Sequence, residues 1–557
     1  MRIINWRINL ILILLLLFSA TIIGRLIYLQ ILNRDLFRAL AQGQQKIPKL
    51  VQGERGEIFF SGGQILATNI NEKYVFISPR EIEKKEETAK LLSQTLNLEE
   101  GLLFKKINKD NLFEPIKYKI VKEEEDTLKK LNLVGVYVEE ANFRNYPQGS
   151  LAAQISGFLG GEGKGQYGLE GYYNDILQGE EKFQEEFKSP FGVGYLNIGA
   201  KKGSDIILSI DYNIQFMAEK LLKDAAKNLE FESGQIIVID PNSGEIFAMA
   251  NFPTFDPNEY SAVEDINVFQ NGAIQKIFEP GSVFKPITMA GAIEEKKITP
   301  QTTYVDEGKV KIGGYTIYNY DGRVWGEQSM TGVLEKSINT GAVFAEDQLG
   351  DKKFLDYIDK FKIFEKTGID LQGEIFSENK NFKKGYEINF ATASFGQGIE
   401  MTPIQLARSF CAIANGGKLV KPYIVKEISN NEKKTEIKPE VSEPVISSKT
   451  ASQLTAMLVS VVENGYGKAA RIPGYYIAGK TGTAQISWSA LDENKNGYSD
   501  KTWQSFIGFA PAFNPRFLIL VKLDNPKTKT AEYSAVPIFH DLAKYIINLW
   551  QIPPDYE

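Results

Sequence analysis

The chain has 557 residues, 43% of them hydrophobic and 24% charged, an ordinary globular composition that calls for roughly two to four domains. Its net charge of -6 leaves no basic footprint for nucleic acid. One cysteine and one histidine exclude an intrachain disulfide framework and a zinc site of His and Cys ligands. A Ser-His-Asp triad would have to use His540 and a cysteine nucleophile would have to be Cys411, so serine chemistry here calls for a different base.

Taken in chain order, Ile8 to Ile23 is almost wholly apolar and, with Ile3 and Ile4 in front, approaches the roughly 20 residues that span a bilayer. The absence of a small-residue cleavage box after it, with Arg25 following at once, favours an uncleaved anchor over residues 8–30 behind a tail of residues 1–7. Arginines flank the segment on both sides, so charge does not orient it. Residues 31–52 are expected to form a stalk, with a helix from Asn33 to Gln52, and residues 53–202, where short strand-like runs alternate with Gly turns, a separate domain. The largest unit covers residues 203–557. Gly234–Asp240 and Glu245–Asn251 read as strands joined by a Pro-Asn-Ser-Gly turn, and Tyr475–Ile486, Ser505–Ala510 and Phe517–Leu523 as three more. Helical patterns lie between the two groups, which predicts an antiparallel sheet drawn from both ends of the unit with helices around it. Lys426–Glu443, polar and rich in Lys and Glu, is expected to be an exposed loop. Cys411 falls in an apolar helical stretch and reads as core; His540 is expected to open a C-terminal amphipathic helix in a structural role.

Three elements carry chemistry. In Glu279-Pro-Gly-Ser282-Val-Phe-Lys285-Pro286, the proline marks a helix start, because its missing N–H has no partner in a first turn anyway. Ser282 then sits at the helix N-terminus and Lys285, three residues on, shares its face. An amine whose pKa is lowered by burial or a neighbouring cation can take the serine proton. A second Ser-x-x-Lys, Ser377-Glu-Asn-Lys380, lies in a polar stretch with no following helix and reads as chance. The second element is Ser337-Ile338-Asn339, between two apolar helical runs; alone it reads as a helix cap. The third is Lys480-Thr481-Gly482-Thr483 on a strand, where Gly482 permits close approach and Lys480 with the threonine hydroxyls can hold a carboxylate.

In this order, on helix, loop and strand, the three resemble the motif set of penicillin-binding proteins and serine β-lactamases. The resemblance extends over nearly the whole chain to class B penicillin-binding proteins of the division-transpeptidase type. Arg55-Gly56-Glu57-Ile58 to Leu66-Ala67, Arg144-Asn-Tyr146-Pro147 and Gly168-Leu-Glu170-Gly171 resemble pedestal motifs of that family. Ala393-Ser-Phe-Gly396-Gln397-Gly398 with Thr402-Pro403 resembles the stretch before its third motif. Two departures stand out: Phe59-Phe60-Ser61-Gly62 where the family usually carries Asp-Arg-Asn-Gly, and Lys336 where a second serine often stands.

The resemblance implies an α+β fold: a penicillin-binding transpeptidase (serine β-lactamase-like) domain over residues 203–557, an elongated dimerisation-type pedestal over 53–202, and one transmembrane helix. It implies Ser282, Lys285, Ser337 and Lys480 as catalytic residues, and Asn339, Thr481, Gly482 and Thr483 as substrate-binding residues, with no metal or organic cofactor. It also implies a single-pass protein of the cytoplasmic membrane with its catalytic domain outside. That domain would cross-link stem peptides on lipid-linked precursor strands beside a membrane glycosyltransferase of the division or elongation machinery, and would be inhibited by β-lactams. The alternatives are an elongation-type relative, a β-lactamase or D,D-carboxypeptidase that uses water as acceptor, and a non-catalytic sensor or scaffold. One further pattern concerns metal. Asp492, Asn494, Asn496 and Asp500 fall at positions one, three, five and nine of a calcium loop with Gly497 at six, but Trp503 replaces the bidentate Glu at twelve. A plain Asn- and Asp-rich turn is the stronger reading.

Overall fold

The structure is a computed structural model that describes residues 3–28, 31, 46–189, 192–196, 201–430, 433–491, 493–495 and 497–557. At the N-terminus Ile3–Ile27 is one helix, and its Ile8–Ile27 segment has a mean hydropathy of 2.6. Twenty helical residues rise about 30 Å, the thickness of a bilayer's hydrocarbon core, so this helix is long and apolar enough to cross a membrane.

The described backbone divides into two compact units. The first, Met1–Arg55 with Gln178–Gly203, holds this helix and a three-stranded antiparallel sheet in the order Lys46–Gln52, Glu181–Ser189, Gly192–Leu196. The expected stalk helix is therefore wrong for residues 46–52. Ile47, Pro48 and Val51 disfavour helix, and the pairing partner lies more than a hundred residues downstream, out of reach of a local pattern. Residues 32–45 of the expected stalk lie outside the described residues.

The second unit, Gly56–Leu177 with Ser204–Glu557, is built on a five-stranded antiparallel sheet. Its order is Ile246–Phe252, Ser233–Ile239, Phe517–Asp524, Tyr498–Ala510, Ala478–Ser487. Both faces of the sheet are covered, so its strands are apolar at successive positions rather than at alternate ones. Ile236, Val238, Phe506 and Ile519 pack on one side with the Tyr212–Leu229 and Ala535–Leu549 helices. Ile237, Ile239, Ile507 and Leu520 pack on the other with Lys285–Glu294, Pro403–Ala414 and Ser448–Asn464. All five expected strands are present, the fourth extended back to Tyr498. Cys411 is fully buried, and burial pushes its thiol pKa up, as expected of a core residue. His540 lies inside the last helix, which begins at Ala535 rather than at the histidine.

Within Gly56–Leu177, the Ile65–Ile77 strand pairs along its length with Val136–Asn145. Val75 and Ile77 face three helices, Lys85–Leu96, Glu100–Ile107 and Lys122–Leu131. Two of the motifs noted in sequence meet here. Arg144 Nε donates to Glu170 Oε1 at 2.7 Å, with both side chains buried, and Tyr146 Oη lies 3.3 Å from the same oxygen. The described residues of Lys426–Glu443 are exposed or half-buried, as expected, but the segment is not a loop. Val425–Ser429 pairs with Asp205–Leu208 and with Lys434–Glu436, and Val441–Pro444 pairs with Lys418–Val420. Val425–Ser429 is flanked on both sides, yet its Lys426 is exposed and Glu427 half-buried while Val425 is buried, a pattern that composition alone reads as loop.

Candidate active site

Gly281–Phe284 forms a 3₁₀ turn that runs directly into the Lys285–Glu294 helix, with Pro286 in the first turn as expected. Ser282 thus stands on a tight turn at a helix start. Gly281, at φ +61°, donates its N–H to the Gly396 carbonyl at 2.9 Å. A side chain on Gly396 would meet the Gly281 carbonyl at 2.1 Å. Gly482 serves the same turn from the strand side, since a Cβ there would lie 2.9 Å from Val283 and 3.0 Å from the Pro280 carbonyl. The glycines of the Ser-Phe-Gly-Gln-Gly and Lys-Thr-Gly segments therefore clamp the backbone that carries Ser282.

Ser337 follows the Met330–Glu335 helix and precedes Asn339–Leu349, with φ +54°. That left-handed conformation is uncommon for a serine and is held here by its surroundings. It does not cap the following helix: Ile338 occupies the cap position.

The three elements converge. Lys285 is fully buried, and its Nζ lies 2.9 Å from Ser282 Oγ, 2.6 Å from the Ser337 carbonyl, 2.9 Å from Asn339 Oδ1 and 3.3 Å from Ser337 Oγ. Lys480, also fully buried, donates to Ser337 Oγ and to the Thr481 carbonyl, each at 3.0 Å. Burial, and secondarily the charge of Lys480, drives the Lys285 pKa well below the usual lysine value. Burial brings Lys480 to about 7. A neutral Lys285 has two N–H bonds and one lone pair. The Ser337 carbonyl and Asn339 Oδ1 accept the two N–H groups, which leaves the lone pair for the Ser282 hydroxyl.

Above the amines lies a cleft of about 1090 Å³, lined by Ser282, Ser337, Asn339, Thr481 and Thr483 among others. Thr483 Oγ1 accepts the Ala531 N–H at 3.2 Å, so its own hydroxyl proton is free to turn into the cleft. The arrangement brings a serine hydroxyl, two buried amines and threonine hydroxyls around one opening.

Every residue read from the three motifs lies in or directly beneath this cleft. Ser377 is elsewhere, its hydroxyl on Glu400 at 2.7 Å, while Lys380 is exposed beside Glu378. Of the calcium pattern, Asp492 and Asn496 lie outside the described residues, and Asp500 is on the Tyr498–Ala510 strand at the cleft. Sequence reasoning missed the Ser337 carbonyl as a ligand of the lysine, which no residue type announces. It also passed over Glu279, buried beside the serine turn and hydrogen-bonded by Tyr498 at 3.0 Å, with burial raising its pKa to about 7. Its place three residues before Ser282 was the available signal.

Residues 234–544 match the family described as penicillin binding protein transpeptidase domain, and residues 50–206 match the penicillin-binding protein dimerisation domain. The chain belongs to the class B penicillin-binding proteins. It is 36% identical to stage V sporulation protein D of Bacillus subtilis over 90% of this chain and 79% of that protein. It is 30% identical to peptidoglycan D,D-transpeptidase FtsI of Buchnera aphidicola over 99% and 96%. Among solved structures, penicillin binding protein 3 of Mycobacterium tuberculosis complexed with aztreonam superposes with a TM-score of 0.71 at 27% identity, covering 91% of this chain and 98% of that one. The α+β transpeptidase fold with an N-terminal dimerisation-type region read from the motifs is thus the fold of this penicillin-binding protein.

Proposed function

We propose that the chain is a serine D,D-transpeptidase that cross-links peptidoglycan stem peptides and is acylated by β-lactams. The observation that carries this is the buried Lys285 amine, whose Nζ lies 2.9 Å from Ser282 Oγ while the Ser337 carbonyl and Asn339 Oδ1 hold it at 2.6 and 2.9 Å. Ser282 Oγ attacks the carbonyl carbon of the penultimate D-Ala as its proton passes to Lys285. The N–H groups of Ser282 and Thr483 receive the oxyanion, an interaction worth about 3–4 kcal/mol per donor in other enzymes. The C–N bond then breaks. Ser337, between the two amines, passes a proton to the departing D-Ala nitrogen. Lys480 with the Thr481 and Thr483 hydroxyls holds the terminal carboxylate. Asn339 donates one N–H to the Tyr318 carbonyl at 3.1 Å and keeps a second for the substrate amide. An amine of a second stem peptide attacks the ester carbonyl and gives up a proton to Lys285, the C–O bond to Ser282 breaks, and Lys285 hands that proton to the departing Ser282 Oγ.

The substrate lies outside the cytoplasmic membrane, so the Ile3–Ile27 helix anchors the chain with its C-terminal side outward. Septal wall synthesis beside a membrane glycosyltransferase is the role favoured by similarity to the division-type relatives. Incubation with a fluorescent penicillin followed by peptide mapping tests the chemistry: label on Ser282 supports it, and label elsewhere or on a Ser282→Ala variant overturns it. Filamentation on depletion would support the septal role; rounding would assign the chain to elongation.

A further inference from the structure

The loop that carries Ser337 and Asn339 rests on a buried pair that the motifs do not include. Asp306 is 1% exposed and Asn319 5%. The Asp306 carboxylate accepts from the Gly308 N–H at 3.0 Å, the Trp325 N–H at 2.9 Å and the Thr340 hydroxyl at 2.6 Å, and each of its oxygens lies 2.9 Å from Asn319 Nδ2. Asn319 Nδ2 also donates to the Arg323 carbonyl at 3.1 Å. These partners fix which way the Asn319 amide points: turned over, it would set its oxygen against a carboxylate. Its Oδ1 consequently faces the start of the Asn339–Leu349 helix and accepts the N–H groups of Asn339 and Thr340, each at 3.1 Å.

Those are orphan donors of a helix first turn, which a cap side chain ordinarily satisfies. Ile338 at the cap position offers none, and Asn319 supplies the acceptor from another strand connection. The neighbouring Tyr318 carbonyl takes the Asn339 side-chain amide at 3.1 Å. One two-residue segment thus holds Asn339 by backbone and side chain together, with its Oδ1 aimed at Lys285.

We propose that Asn319, oriented by Asp306, is a positioning residue for acylation. It acts through Asn339 and the Ser337 carbonyl, the two acceptors that hold the Lys285 amine with its lone pair on Ser282. The inference rests on the acylation chemistry proposed above. It explains why a helix entered through a left-handed serine stays in register: the first two N–H groups are anchored to a side chain that cannot turn.

The test uses the full-length protein in detergent and a fluorescent penicillin, with the acylation rate constant at saturation and the apparent binding constant measured separately. Asn319→Asp keeps both acceptors and the size but sets two carboxylates face to face. Asn319→Ser removes the amide without adding a charge. N319D and N319S should each slow acylation per folded molecule at least about tenfold with little change in apparent binding. A folding defect alone would lower the melting temperature without changing the rate constant per folded molecule. The proposal is overturned if either folded variant acylates within about twofold of the parent, or if the loss lies in apparent binding with the rate constant at saturation unchanged. Should N319D not fold, N319S is read alone by the same criteria. A parent protein that takes no label at all counts against the acylation reading and not against Asn319.

Discussion

Lys285 and Lys480 share the hydroxyl of Ser337: its Oγ lies 3.3 Å from one amine and 3.0 Å from the other. Two ammonium groups this close and this buried cannot both be charged at modest cost. The pair therefore keeps one amine neutral, and the serine between them can accept from one and donate to the other. Burial and the charge of Lys480 both hold the Lys285 pKa down, and Lys285 is the amine within 2.9 Å of Ser282 Oγ, which suits it to the role of base proposed above.

On the proposed roles, removing Lys285 should be far more damaging than removing Lys480. Lys285→Ala should lower penicillin acylation by about a thousandfold or more, and Lys480→Ala by roughly ten- to a hundredfold. Stopped-flow acylation checks this, with melting curves to confirm folding. Near-parental acylation by Lys285→Ala would reverse the assignment of roles.

The clamp around the serine turn makes a second expectation. Gly396→Ala places a methyl group 2.1 Å from the Gly281 carbonyl at a backbone φ of +81°. Relief requires Gly281 and with it Ser282 to move, so acylation should fall by about a hundredfold or more even where the melting temperature drops only a few degrees. Gly385→Ala, also at positive φ but with nothing near its Cβ, is the control and should leave acylation within about twofold.

A third concerns the ion pair between the Arg-Asn-Tyr-Pro and Gly-Leu-Glu-Gly segments. Glu170 is fully buried, so Arg144→Ala removes a buried cation that donates to its carboxylate at 2.7 Å. Loss of about 3–5 kcal/mol is expected, measured by denaturant unfolding of the full chain. Replacing both residues by methionine should cost less, since the two charges of the pair leave together. An equal loss in the double variant would show that packing rather than charge sets the cost.

These contacts show what the sequence disclosed and why it stopped there. The three motifs were legible because each is short and its residue types are chemically distinctive, and the strands of the central sheet because five apolar runs are bounded by turns. The partner of Lys46–Gln52 was not, since pairing is decided by a segment more than a hundred residues away. The Val425–Ser429 strand was masked by its Lys and Glu side chains, which reach solvent although the strand is paired on both sides. Within the site, Ser282, Lys285 and Lys480 were assigned from side-chain chemistry, whereas the Ser337 carbonyl is a backbone atom and Asn319 acts from a connection whose spacing to Asn339 carries no periodicity.

The last expectation is the pH dependence of acylation by a penicillin, which carries a carboxylate. At low pH Lys285 is protonated and cannot accept from Ser282, so the rate rises as pH passes its lowered pKa. Lys480 in the free protein titrates at about 7, and above that its charge, which draws the penicillin carboxylate, is progressively lost. The second-order acylation rate, which reports the free protein, should accordingly be bell-shaped, with its alkaline limb near neutrality. Lys480→Met keeps the length of the side chain and removes the charge. It should abolish the alkaline limb, and because the Lys480 charge helps to hold the Lys285 pKa down, it should move the acid limb to higher pH. Stability follows the same linkage. Lys480 is lowered in the folded state to about 7 while its unfolded value stays near about 10.4, so the unfolded chain binds more protons between the two and stability rises with pH across that window. The Lys480→Met variant should lose its share of that rise in melting temperature. An acid limb that stays in place in the variant, with the parent profile bell-shaped, would mean that Lys285 is tuned by burial alone.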